Sequence, residues 1–204
     1  ALITQTVVDA NDPAFQDPTK PVGAFLTEDE AVRLANETGA TFKEDAGRGW
    51  RQVVASPKPV RIVEFDAVKD LMDNGYIVVS TGGGGVPVFE EDGQYAGVPA
   101  VIDKDRSSSK LAADFQADML VILTAVEKVA INYNTPDQEE IDVMDVAQAE
   151  EYIAQGQFAP GSMLPKVQAA VKFAASKPGR TALITLLEKA KDGIAGKTGT
   201  AVSM

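Results

Sequence analysis

Two residue types are missing altogether: the sequence has no cysteine and no histidine. Without cysteine no disulfide holds the fold and no thiolate does chemistry, which suits a reducing, cytoplasmic setting. Without histidine the usual proton carrier near neutral pH is gone. Ser-His-Asp, Cys-His and histidine-ligated metal sites are therefore excluded within these residues. No apolar run approaches the roughly 20 residues that cross a bilayer. No positively charged, apolar leader opens the sequence, so nothing in it directs secretion. Positive charge is scarce: 19 Lys and Arg face 30 Asp and Glu, a net charge of −11. That balance argues against nucleic acid or an anionic membrane as partner.

What remains for chemistry is Lys, Arg, Asp, Glu, Tyr and backbone dipoles. Phosphoryl transfer works with such groups, because positioning and charge neutralisation supply most of its acceleration. The 204 residues, 45% hydrophobic and 24% charged, are enough for one large domain or a core with a small appendage. The sequence opens on Ala and is strand-like almost at once, which reads as a start inside a domain.

Helix and strand signals alternate, which predicts an α/β fold with βαβ units. Strands are expected over 2–8, 76–80, 119–123 and 181–185. Thr27 to Glu30 has the form of a capping box and opens a helix through Asn36 that Gly39 ends. Further helices are expected over 65–73, 105–116 (capped by Asp105), 146–155, 165–175 and 186–191. Short strands at 42–44 and 50–55 flank the tight turn Asp45-Ala46-Gly47-Arg48-Gly49, with Trp50 as a packing anchor. Strands at 86–89 and 95–98 flank Asp92-Gly93, a hairpin signal. Residues 9–59 read as a small lobe on a main body of residues 1–8 and 60–204.

Several segments carry chemical interest. Gly82, Gly83, Gly84 and Gly85 follow the expected strand at 76–80. Bare amides there let an anion approach closely, at the kind of junction where parallel sheets place ligands. A flexible turn is the plainer alternative, and the run matches neither the dinucleotide nor the Walker spacing. In Val101-Ile102-Asp103-Lys104-Asp105 a lysine between aspartates suits developing phosphate charge. Spacing alone fits a solvated ion pair as well. Gly161 to Lys166 enters a helix whose free amides and dipole suit an anion, with Lys166 in reach of it. An exposed helix lysine is the alternative. Lys20 stands on a stiff loop between prolines, and Thr124, Ala125 and Val126 continue a strand into a loop.

Taken in order, Pro18-Thr19-Lys20-Pro21, Phe42 to Arg51, Gly82 to Pro87, Val101 to Asp105 and Phe158 to Lys166 resemble the bacterial carbamate kinases, within the amino-acid kinase superfamily. The resemblance implies a three-layer αβα sandwich around a mainly parallel sheet, with a protruding α+β subdomain matching residues 9–59. It implies phosphoryl transfer between ATP and carbamate, giving ADP and carbamoyl phosphate, with magnesium carried by the nucleotide and no metal ligand from the protein. Lys20, Lys104 and Lys166 are then the cations around carbamate and the phosphoryl group, and Asp105 orients them. Gly82 to Gly85 and Arg48 lie on the carbamate side. Thr124, Ala125, Val126, Tyr133, Ser162 and Met163 line the nucleotide. A homodimer is expected of the intact enzyme. The family's Gly-Gly-Asn-Ala turn and Gly-Asn-Gly-Pro loop do not occur here, so part of the anion site and of the sheet is missing. A sheet edge and an apolar face are expected to be exposed. The 204 residues alone are expected to turn over little.

Overall fold

The computed structural model describes residues 1–45 and 47–204. The turn position Ala46 lies outside the described residues. The chain forms two compact units, Ala1–Ser107 and Ser108–Met204.

The first unit contains β1 (Gln5–Val8), β2 (Lys20–Leu26), α1 (Glu28–Thr38), β3 (Thr41–Glu44), β4 (Trp50–Val54), β5 (Pro59–Ile62), α2 (Phe65–Asp73), β6 (Val86–Glu91) and β7 (Gln94–Gly97). Helix α3 (Lys104–Asp114) contains the division between the units. Strand β1 is paired on both sides, antiparallel to β5 and parallel to β6, and β7 extends the sheet beyond β6. Val7 and Val8 of β1, Ile62 of β5 and Val88 of β6 are buried, as are Val68 of α2 and Ile102 just before α3. Strands β2, β4 and β3 form a separate antiparallel sheet, with α1 against β3 and β4. This sheet occupies the stretch expected to form the small lobe.

Local chemistry explains these elements. The Thr27 hydroxyl accepts from the Glu30 amide while the Glu30 carboxylate accepts from the Thr27 amide, satisfying donors that the first turn of α1 leaves orphaned. Between β6 and β7, Asp92 and Gly93 both have positive φ, the two-residue turn whose twist matches a hairpin. The strand expected at 76–80 does not form. Leu2 N–H donates to the Val79 carbonyl at 2.8 Å, but the segment joins no ladder among the described residues. Tyr76 and Val79 are 64% exposed and Ile77 is 99% exposed. An apolar run without a neighbour to pair its backbone stays irregular, whatever its propensity.

The second unit contains β8 (Met119–Thr124), β9 (Val129–Ile131), β10 (Glu139–Ile141), β11 (Val143–Asp145), α4 (Val146–Ala154), α5 (Met163–Ala174), β12 (Thr181–Leu186), α6 (Ala190–Ile194) and β13 (Thr200–Ser203). Its main sheet runs β11-β13-β12-β8. β8 is parallel to β12, β11 is parallel to β13, and β12 and β13 are antiparallel. Both larger sheets are thus mixed, with parallel pairs at their centres or edges. Helix α5 lays Val167, Ala170, Phe173 and Ala174 on Ile122, Ile184 and Val202. Burying Phe173 completely contributes roughly 1.5–3 kcal/mol. Helix α4 opens on a second reciprocal cap between Asp145 and Gln148. Among the described residues no helix is long and apolar enough to cross a membrane.

Candidate functional site

In the first unit, β2 begins at Lys20, and its ammonium donates to the Asp103 carboxylate at 2.7 Å. The Asp103 side chain is 8% exposed and its second oxygen accepts from the Asp105 amide at 2.9 Å. The Asp103 carbonyl accepts from Ser107 N–H. Asp103 is therefore the cap of α3, not Asp105 as the sequence suggested: the capping residue stands just before the first helical residue, here Lys104, and its oxygen serves an amide two or three residues on. Burial pushes the Asp103 carboxyl up, but the Lys20 ammonium, the Asp105 amide and the Lys104 charge outweigh it, and its pKa ends below the ordinary aspartate value. Lys104 is mostly exposed, 3.5 Å from the nearly buried Asp105 carboxylate.

The glycine run lies against the same segment. The Gly84 carbonyl accepts from Thr6 Oγ1 at 3.0 Å and from Ser107 Oγ at 2.7 Å. A Cβ on Gly84 would collide with the Ile102 carbonyl, and one on Gly85 with the Thr6 hydroxyl; both residues have positive φ. Close packing thus dictates Gly84 and Gly85, while a Cβ on Gly82 or Gly83 meets open space. Thr81, just before the run, is buried with φ of 51°, an unusual conformation for a β-branched residue. Its amide donates to Thr4 Oγ1 at 2.9 Å, which helps hold it there.

Arg48, in the turn between β3 and β4, pairs with Asp45 at 3.2 Å and stands 4.9 Å over the Phe25 ring. Arg51 shares both partners. The ring that receives these cations is Phe25.

In the second unit a cavity of about 510 Å³ gathers Thr124, Ala125, Val126, Tyr133, Ser162, Met163 and Lys166. All six residues expected around a nucleotide line it, together with the lysine expected at the phosphoryl group. They arrive from three places: the end of β8, the loop between β9 and β10, and the first turn of α5. Helix α5 starts at Met163, two residues earlier than expected, so Met163 and Lys166 both lie in its first turn. Lys128, Asn132, Thr135, Gln157 and Phe158 complete much of the wall and were not anticipated. The Asp142 carboxylate, accepting from Lys128 at 2.7 Å, raises the Lys128 pKa above the ordinary lysine value. Strands of three residues carry no readable periodicity, so the sequence does not reveal the β9–β10 hairpin, and of its loop only Tyr133 was expected at the cavity. Asp103 was within reach, since a helix start after Asp-Lys-Asp offers either aspartate as cap.

A family model described as the amino acid kinase family matches residues 21–185. The chain belongs to the amino acid kinase family. Within it, the chain is 58% identical to the carbamate kinase-like protein YqeA of Escherichia coli over 98% of its own length and 64% of that protein's. It is 52% identical to a carbamate kinase of Clostridium perfringens, with the same coverage of both. A solved carbamate kinase from Giardia lamblia bound to AMP-PNP superposes with a TM-score of 0.87 at 45% identity, over 99% of this chain and 64% of that one. The chain thus spans just under two thirds of the length of these relatives.

Proposed function

We propose that this sequence serves a carbamate kinase, transferring the γ-phosphoryl group of ATP to carbamate and back, in arginine fermentation and mainly toward ATP. The observation that carries the proposal is the cavity of the second unit, where the residues expected around a nucleotide meet Lys166. A cavity of that size, largely apolar with a few polar groups, suits a small-molecule ligand. That the Giardia lamblia relative holds AMP-PNP supports a nucleotide as its occupant here.

A carbamate oxygen bonds to the γ-phosphorus as the bond to the β-bridging oxygen breaks, and ADP leaves. Carbamate is already an anion, so no general base is required, which agrees with a sequence without histidine. The demand is for cations around the phosphoryl oxygens. We assign Lys166 to the transferred phosphoryl of the nucleotide, and Lys20 and Lys104 to carbamate and carbamoyl phosphate. The carboxylates beside those two lysines, Asp103 and Asp105, aim the ammonium groups. Magnesium enters as part of the nucleotide substrate.

In an enzyme of the relatives' full length carrying this sequence, Lys166→Ala is expected to lower carbamoyl-phosphate-dependent ATP formation roughly a hundredfold to a thousandfold, with the melting temperature unchanged. Wild-type turnover in that variant would remove Lys166 from the chemistry. A second reading, favoured by the coverage of under two thirds of the relatives, is that the 204 residues alone bind nucleotide and turn over little. Robust ATP formation by them alone would refute it.

A further inference from the structure

We propose that Gln157 is a positioning residue of the cavity in the second unit: it fixes the β9–β10 loop so that the Tyr133 ring stands against a nucleobase. The inference rests on the nucleotide reading of that cavity.

The loop, residues 132–138, satisfies itself internally. Thr135 Oγ1 donates to the Asn132 carbonyl at 2.7 Å, the Asn134 amide donates to Gln138 Oε1 at 2.9 Å, and Asn132 Nδ2 donates to the Asp137 carbonyl at 3.3 Å. Asn132 and Asn134 both have positive φ, a conformation that asparagine tolerates better than most residues. A loop closed on itself in this way keeps its shape, but its direction needs a tie to the body of the unit.

Gln157 makes that tie from the connection between α4 and α5. The Asn132 amide donates to Gln157 Oε1 at 2.8 Å, and Gln157 Nε2 donates back to Asn132 Oδ1 at 3.4 Å. Gln157 is itself held, its amide donating to the Tyr152 carbonyl at 3.0 Å. Its neighbour Phe158 is 3% exposed and belongs to the hydrophobic core. The pairing therefore runs from the core, through one side chain, to the residue that precedes Tyr133. Tyr133 lines the cavity yet is 65% exposed, a ring with a face left for a ligand. A base stacks on such a ring with useful affinity only when the ring is held in place. Exposed amide pairs add little to folding, so the role belongs to binding rather than to stability.

The experiment is calorimetric titration of the chain with ADP and, separately, with inorganic pyrophosphate, which has no base. Gln157→Ala and Gln157→Met, the latter keeping length without either amide group, are each expected to weaken ADP about five- to tenfold and to leave pyrophosphate unchanged. In a Tyr133→Ala background, Gln157→Ala should cause no further loss, because the ring through which it acts is gone. Unchanged ADP affinity in both Gln157 variants overturns the inference and leaves the nucleotide reading standing. So do losses that multiply in the double variant, or equal losses for pyrophosphate. Failure of the wild-type chain to bind ADP removes the nucleotide reading and the inference together.

Discussion

Asp103 serves two elements at once, closing the first turn of α3 and receiving the ammonium of a residue 83 positions away. Its pKa lies below the unfolded value, so its contribution to stability is complete above the ordinary carboxylate range, about 3.9, and is lost as pH falls through the lower folded value. Asn keeps an oxygen for the Asp105 amide but cannot carry the charge. Asp103→Asn should therefore be less stable than wild type between about pH 6 and 8, with the gap closing below about pH 4. Thermal melts across that range check it, and a gap as wide at pH 3 as at pH 7 would show that the charge of Asp103 is not its source. Lys20→Ala leaves a nearly buried carboxylate without its cation, a loss of about 1–3 kcal/mol measurable by urea unfolding.

Among the elements, the glycine run divides in two. Gly84→Ala or Gly85→Ala forces a methyl into backbone or a buried hydroxyl at positive φ and should cost on the order of 2–5 kcal/mol. Gly82→Ala meets nothing and should stay within about 0.5 kcal/mol of wild type. Equal melting temperatures for the Gly82 and Gly85 variants would mean that the run owes its composition to something other than packing. Four identical letters gave no hint of this division, which depends on Thr6 and Ile102 arriving from elsewhere in the chain. Most helices were more legible, because their signals are local, although the one expected over 186–191 begins as the end of β12 and becomes α-helical only at Ala190–Ile194. Thr27 with Glu30 marks the start of α1 within four residues, and α2 falls where its apolar spacing put it. The segment 76–80 misled for the complementary reason: a strand is completed by a partner, and its own residues do not reveal whether one is present.

For the whole molecule, composition narrowed the candidate chemistry with the fewest residues. A sequence without histidine or cysteine pointed to reactions run by charge, and membership of the amino acid kinase family agrees with that. Most of the cavity-lining residues named from sequence sit in short motifs at element ends, Thr124 to Val126 at the end of β8 and Ser162 to Lys166 at the start of α5, whereas Tyr133 was named only through the family resemblance. Pairings across long sequence separations, Lys20 with Asp103 and Asn132 with Gln157, were not, since nothing in a linear pattern marks two residues as neighbours.

The irregular stretch around Tyr76 has a practical consequence. A protease binds its substrate as an extended strand, and a segment whose backbone joins no ladder can be drawn into such a cleft without unfolding its surroundings. Tyr76 and Ile77 offer that segment with an aromatic side chain at the scissile position. Brief digestion with chymotrypsin should therefore nick the chain after Tyr76 before it reaches the buried Phe158 or Phe173, and mass spectrometry of the first products will read the order of cuts.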